Sequence, residues 1–276
     1  MSKLTPEDVV LRYSKRGMNI LKKYLKDGYC RTAAEKLLHA ERGTVLLTTG
    51  FYVAGYAETD GPLGTVAVAE ALNHLGFHSV VVTVKYCKGF FELKQLDVEY
   101  VDIAADEQVY EDILDKYHPV YMISIERCGE NAEHEYANMR GVSITSETAA
   151  IDHLFELAPE KHIPTIGVGD GGNEIGMGNV KDIISEKLEL NPCVVPVDDL
   201  IIATTSNWGA YALTAWLQKL SGEEVLFTYE EAEPYLAATL EIGSVDGVLK
   251  EKKMGVDGFD MTVEKEILDS LAEAIA

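Results

Sequence analysis

Basic residues are scarce in this chain. Lys and Arg number 24 against 46 Asp and Glu, a formal net charge of −22. A nucleic-acid backbone or an anionic membrane is repelled by that balance unless the cations are gathered into a patch, and no such patch stands out. Neither is expected as a partner. Cysteine is rare as well. Cys30, Cys87, Cys128 and Cys193 lie far apart and form no CxxC pair, the usage of free thiols in a reducing compartment. Long apolar runs are missing: each is strand-length, short of the ~18 residues a membrane helix needs. The polar start, Met1 to Val10, reads as no signal peptide. A cytoplasmic protein is the expectation. Several catalytic signatures are absent too. No HExxH, GxSxG or GxxxxGK[ST] occurs, which argues against a zincin, a nucleophile-elbow hydrolase and a P-loop enzyme.

What is present is an ordinary globular composition. The chain has 276 residues, 47% hydrophobic and 25% charged, enough to bury a sizeable core. No repeat, low-complexity stretch or linker divides it, so residues 1–276 are expected to form one domain, with 1–42 as a helical extension packed on it. There Thr5 can cap a helix, Pro6 suits its first position, and Glu7 and Asp8 favour its positive end. A break at Tyr29-Cys30 is expected to divide that segment into two helices. Beyond it, apolar runs alternate with helix-period segments. The runs are Thr44–Gly50, Ser79–Lys85, Val98–Ile103, Val120–Glu126, Thr165–Asp170 and Leu200–Ser206. The segments include Leu63–Leu75, Asp106–Tyr117, Ser143–Leu157 and Val180–Leu188, and the tail adds Trp208–Leu220, Glu230–Ala238 and Thr262–Ala276. Near-continuous apolar strands separated by helices predict an α/β fold: a doubly wound, mostly parallel, Rossmann-like sheet with flanking helices.

Four of these strands run into polar, glycine-bearing stretches. Thr44–Gly50 leads to Glu58-Thr59-Asp60-Gly61-Pro62, and Val120–Ile125 to Glu126-Arg127-Cys128-Gly129. Thr165–Val168 leads to Gly169-Asp170-Gly171-Gly172-Asn173-Glu174-Ile175-Gly176-Met177-Gly178, and Leu200–Thr205 to Ser206-Asn207-Trp208-Gly209. Ligands of open parallel sheets bind beyond the carboxyl ends of the strands. These stretches therefore share the edge where a site belongs, and a small-molecule substrate is the expected partner. A homo-oligomer is compatible with this reading.

Asp170, Asn173 and Glu174 put carboxylate and amide oxygens in one tight turn. They can hold Mg²⁺ or Mn²⁺, work as an acid–base pair, or simply brace a strand-to-helix connection; the backbone of the turn can instead cradle an anion. The glycine spacing does not match the dinucleotide fingerprint, so NAD is not expected. Glu58 or Asp60 can face the crevice, or Thr59 or Asp60 can cap the following helix. Arg127 can clamp a substrate carboxylate or pair with a neighbour at the rim. Cys128 has no assignable histidine partner, which disfavours a thiol nucleophile. Ser206 or Asn207 can serve as a helix cap.

Taken together, these motifs resemble the C-terminal domain family of D-glutamate cyclase, across roughly Gly43 to Gly209. In that family proline commonly stands where this chain has Cys128, and larger relatives carry a further N-terminal domain. The resemblance implies a lyase that reversibly dehydrates D-glutamate to 5-oxo-D-proline. It implies that Asp170 and Glu174 bind a metal or move protons, with Asp60 or Glu126 as a second carboxylate. Arg127 then takes the substrate α-carboxylate, and amides near Gly61 and Gly171 stabilise an oxyanion. Thr59, Gly172, Asn173 and Asn207 complete the expected substrate contacts. Two rivals share the crevice: a nucleotide or phosphate-ligand binding protein, and a metal-assisted hydrolase of a small amide or phosphoester.

Overall fold

The computed structural model describes residues 4–276; Met1–Lys3, the first part of the polar start, lie outside the described residues. The N-terminal segment forms helices α1 (Pro6–Val10), α2 (Met18–Leu21) and α3 (Tyr29–His39). Thr5 and Asp8 close a capping box on α1, satisfying amides that a helix start leaves orphaned. The expected division into two helices at Tyr29-Cys30 is not what forms. Left-handed backbone at Gly17 (φ 86°) and Gly28 (φ 69°) sets the breaks instead. Tyr29 begins α3, with its hydroxyl donating to the Ile202 carbonyl at 3.0 Å.

The chain then runs through β1 (Thr44–Thr48), a small hairpin of β2 (Tyr52–Val53) and β3 (Tyr56–Ala57), α4 (Pro62–His74), β4 (His78–Val84) and β5 (Asp97–Val101). It continues with α5 (Glu107–Tyr117), β6 (Tyr121–Ile125), α6 (His153–Leu157), β7 (Thr165–Gly169), α7 (Lys181–Leu188), β8 (Asp199–Ile202), α8 (Ser206–Ser221) and α9 (Tyr229–Ile242). A second hairpin, β9 (Gly255–Val256) and β10 (Phe259–Asp260), precedes α10 (Met261–Ile275).

The six long strands form one parallel sheet in the order β5-β4-β1-β6-β7-β8. Counting only those strands in chain order, this is the 3-2-1-4-5-6 arrangement of a doubly wound Rossmann-like sheet. The α/β reading of the sequence therefore holds, and its six apolar runs are these strands. Apart from the edge strand β5, which is only partly buried, their residues are largely buried on both faces because helices cover both, so those strands read as continuous apolar runs rather than alternating ones. One core cluster reaches from Val9 in α1 through the sheet to Ile275 in α10. Among the described residues no helix is long and apolar enough to cross a membrane.

The helix expected over Ser143–Leu157 is shortened to α6, preceded by one 3-10 turn at Thr145–Glu147. Side chains take the backbone groups that a longer helix would need. Arg127 donates to the Ala149 carbonyl at 2.6 Å and Thr148 Oγ1 to the Ile144 carbonyl at 3.0 Å. Such local competition is why Ser and Thr runs favour loops over helix interiors.

Candidate active site

The order of the sheet reverses between β1 and β6, which opens a crevice beyond their carboxyl ends. Asp60 follows β1, Glu126 follows β6 and Asp170 follows β7. Their carboxylates meet there: one oxygen from each lies within 4.8 Å of the others, and all three residues are buried. A cavity of about 320 Å³ is lined by two of them, Glu126 and Asp170, with Asp60 behind them. Its floor includes Arg16, Glu58, Glu126, Asp170, Asn173 and Asp257, and its walls come from the Phe51–Ala54 hairpin and the 138–144 loop.

Each carboxylate is aimed by a different device. Asp60 accepts from the Ser206 and Asn207 amides at 2.8 and 2.7 Å, so it sits on the positive start of α8. Glu126 has left-handed backbone (φ 48°), an unusual conformation for a residue with a side chain. That bend turns its carboxylate back over the sheet, where Ser206 Oγ donates to it at 2.5 Å. Asp170 receives Arg16 Nη1 on Oδ1 at 2.6 Å, while its Oδ2 is buried without a hydrogen-bond partner. The second guanidinium nitrogen of Arg16 reaches Asp257 at 2.6 Å, so α1–α2 and the β9–β10 hairpin are tied together over the site.

The balance of charge is lopsided. Burial pushes the Asp60 carboxyl up to about 8, with repulsion from Asp257 adding to it and the two α8 amides opposing. Burial also raises Glu58, Glu126 and Asp170 well above the carboxylate range. Around Glu126 the neighbouring Asp170 and Glu174 add to the effect, whereas around Asp170 the Arg16 charge works against it. Asp257 is raised by burial as well, against the pull of Arg16. Burial disfavours the Arg16 charge, but Asp170 and Asp257 more than compensate and hold it cationic. Arg140 and Lys250 also line the cavity, but Arg16 is the cation ion-paired to the cluster among the described residues, and one guanidinium cannot neutralise five clustered carboxylates in a poorly hydrated site. The cluster must carry protons or accept a further cation. An all-oxygen donor set with one unpartnered buried oxygen suits a hard divalent ion.

Several expected roles change on this geometry. Glu174 does not face a metal: its oxygens accept from the Gly171 and Gly172 amides at 2.6 and 2.8 Å, and from the Asp170 amide at 3.3 Å. It is the brace that folds the turn, and it removes the Gly171 and Gly172 amides as oxyanion donors. The Gly61 amide is likewise taken, by Asp60 and by Asn207 Oδ1 at 2.9 Å. Asn207 also accepts from Gly64 and donates to the Thr59 carbonyl, so Asn207 and Thr59 join α4 to α8 instead of meeting a substrate. Arg127 is fully buried with its Nη atoms on the Gly50 and Ala149 carbonyls at 2.6 Å each. A guanidinium spent on two backbone carbonyls behind the cavity wall cannot clamp a substrate. Asn173 does line the cavity, held by a bond from Nδ2 to the Ala137 carbonyl at 2.9 Å. The Cys128 thiol is buried and pushed up to about 12 by burial, the state of an inert thiol.

Arg16 and Asp257 were not expected. Arg16 lies 154 positions from its partner Asp170, and nothing in a lone arginine beside a glycine signals that distance. Asp257 sits in the irregular stretch before α10, where the sequence has no periodic pattern.

Comparison with known proteins places the chain. It is 34% identical over 212 residues to human mitochondrial D-glutamate cyclase, covering 67% of this chain and 34% of that protein. The chain thus spans about a third of the length of this curated relative. Among solved structures, it is similar to UDP-glucose 4-epimerase from Brucella ovis in complex with NAD, with a TM-score of 0.32, 16% identity, and 54% and 49% of the two chains covered. It is also similar to a variant of actinorhodin polyketide ketoreductase with NADPH, with a TM-score of 0.34, 14% identity, and 85% and 90% covered. Likeness at that level carries nothing about cofactor or chemistry. The model of the D-glutamate cyclase-like, C-terminal family matches residues 7–272, and the chain belongs to that family.

Proposed function

We propose that this chain is a lyase that reversibly dehydrates D-glutamate to 5-oxo-D-proline. The observation that carries the reading is the trio Asp60, Glu126 and Asp170, three buried carboxylates converging under a cavity of small-molecule size, with Asp170 Oδ2 unpartnered. The ring closes when the substrate nitrogen bonds to the side-chain carboxyl carbon and one carboxylate oxygen departs. Two protons leave the ammonium and both end on that oxygen as water, so no outside oxidant or base is consumed. The reaction therefore needs carriers that release and accept protons near neutral pH. Buried carboxyls raised towards that range fit the need, Asp60 among them at about 8.

A carboxylate is a poor electrophile until its charge is neutralised. Mg²⁺ or Mn²⁺ held by Asp60, Glu126 and Asp170 would supply that neutralisation when bound. Without the ion, Glu126, which accepts from Ser206 on one oxygen, would instead pass a proton to the leaving oxygen. Arg16 keeps Asp170 oriented and adds the positive charge that an anionic substrate needs in so acidic a protein.

The test is incubation with D-glutamate and, separately, with 5-oxo-D-proline, followed by NMR, with added Mg²⁺ or Mn²⁺ and with chelator. Interconversion is expected with a divalent ion, and Asp170→Asn should reduce its rate by about 10²-fold or more. No interconversion under any condition removes the reading. Full activity after exhaustive chelation removes the metal and leaves proton transfer by the carboxyls.

A further inference from the structure

Glu58 takes no part in the trio, yet it is the most exceptional carboxylate in the cavity. It is 6% exposed, lines the cavity, and its carboxylate makes no hydrogen bond or ion pair among the described residues. Buried carboxylates are ordinarily paired, because an unpaired one sacrifices its hydration without return. The chain holds Glu58 in place with its backbone. The Glu58 amide donates to the Phe51 carbonyl at 3.1 Å, and the next amide, Thr59, donates to the Val245 carbonyl at 2.8 Å. The side chain is thus fixed at its root while its acceptor end faces the cavity.

A second oxygen points to the same spot. A Cβ built on Gly247 would lie 2.0 Å from Glu58 Oε2 and 3.0 Å from Asp257 Oδ1. The absent side chain is what lets these two acceptors come together. Asp257 gives its other oxygen to Arg16 at 2.6 Å and also shares a side-chain hydrogen bond with Asp170. Among the described residues, Glu58 belongs to no set of three ligand atoms close enough to share a metal. Two carboxyl groups close together, without a third converging ligand, suit a group with several N–H donors and one positive charge, which also favours their ionised forms.

Resting on the proposed reaction, we infer that Glu58 and Asp257 form the subsite for the substrate ammonium. The amine is then seated on the Gly247 side of the cavity, and the carboxylate that it attacks lies towards Asp60, Glu126 and Asp170. This arrangement makes the enzyme selective for amino dicarboxylates over dicarboxylates that lack the amine. A primary ammonium donates three hydrogen bonds, and charge-assisted bonds to carboxylates are among the stronger ones.

The experiment is isothermal titration of the full chain, in the presence of Mg²⁺, with D-glutamate and with D-2-hydroxyglutarate, which carries a hydroxyl in place of the ammonium. The wild-type protein is expected to prefer D-glutamate by at least about 10-fold. In Glu58→Gln, close in size but uncharged, that preference should collapse towards unity while D-2-hydroxyglutarate binds as before. Gly247→Ala, whose methyl would lie 2.0 Å from the present position of Glu58 Oε2 and so displace it, should erode the preference in the same direction. A merely structural Glu58 would weaken both ligands together. Retained preference in Glu58→Gln, or no preference in the wild type, overturns the subsite while leaving the reaction standing. Failure of the wild-type protein to bind D-glutamate at all overturns the subsite together with the reaction on which it rests.

Discussion

Two arginines divide the work that one was expected to do, and burial decides which does what. Arg127 is 2% exposed, and burial lowers its pKa, with Cys128 and Asp152 acting in the opposite sense. Its Nη atoms bridge the Gly50 carbonyl at the end of β1 and the Ala149 carbonyl in the loop before α6, so it staples the cavity wall to the sheet. Arg16, which shares the cavity lining with Arg140 and Lys250, is the cation that ion-pairs with its buried carboxylates Asp170 and Asp257. The difference is measurable as stability. Arg127→Met keeps the bulk and deletes both donors, stranding the buried Gly50 carbonyl at ~1–3 kcal/mol, while the Ala149 carbonyl keeps the Ile151 amide at 2.8 Å. The urea midpoint should therefore fall by an amount worth roughly 1–3 kcal/mol. An unchanged midpoint would mean that Arg127 is not a staple, and would reopen its role as a substrate clamp.

Among the elements, the ends of the strands matter more than the strands. Gly61 opens α4 at φ 96°, and a Cβ there would lie 2.5 Å from Thr49 Oγ1 and 2.9 Å from Glu126 Cβ. The β1–α4 turn and the Glu126 bend are therefore packed directly on one another. Gly61→Ala adds both the backbone strain of a left-handed residue and that clash. It should cost more than ~1 kcal/mol in chemical unfolding and, by separating Asp60 from Glu126, depress turnover in the protein that still folds. Wild-type stability and rate in Gly61→Ala would show that the two turns are not coupled. The same elements explain what was legible in the chain. Six apolar runs and four polar strand ends sufficed for the sheet and its working edge, because strand burial and strand-end chemistry are local patterns. The partners of each side chain were not local. Glu174 looked like a ligand because it is acidic and beside glycines, yet three amides of its own turn consume it. Asp60 and Glu126 were expected beside Asp170, but their meeting depends on the sheet reversing between β1 and β6. Arg16 comes from a segment whose local cues, a helix cap and an acidic first turn, concern only the helix itself.

For the molecule as a whole, the buried acids make stability depend on pH in an unusual direction. An unfolded Asp titrates near ~3.9, whereas folded Asp60 is pushed up to about 8 and folded Asp152 to about 6, both chiefly by burial. Between these values the folded state binds more protons than the unfolded state, so stability falls as pH rises. The contribution is fully present below about pH 4 and is lost through pH 6 for Asp152 and pH 8 for Asp60, at up to ~1.4 kcal/mol per pH unit for each proton retained. Glu58, Glu126 and Asp170 are raised in the same direction. A divalent cation acts oppositely, since it binds the deprotonated trio and stabilises the fold more as pH rises. The net charge of −22 complicates the comparison, because any salt relieves long-range repulsion. Melting curves from pH 5 to 8 should thus be run with chelator, with Mn²⁺, and with NaCl at matched ionic strength. The melting temperature should fall with pH in chelator and in NaCl, and fall much less in Mn²⁺. Asp170→Asn should abolish the Mn²⁺ advantage but keep the response to NaCl. A flat or rising profile in chelator would mean that the buried acids are already ionised and compensated. Equal protection by Mn²⁺ and NaCl would mean that the trio binds no metal.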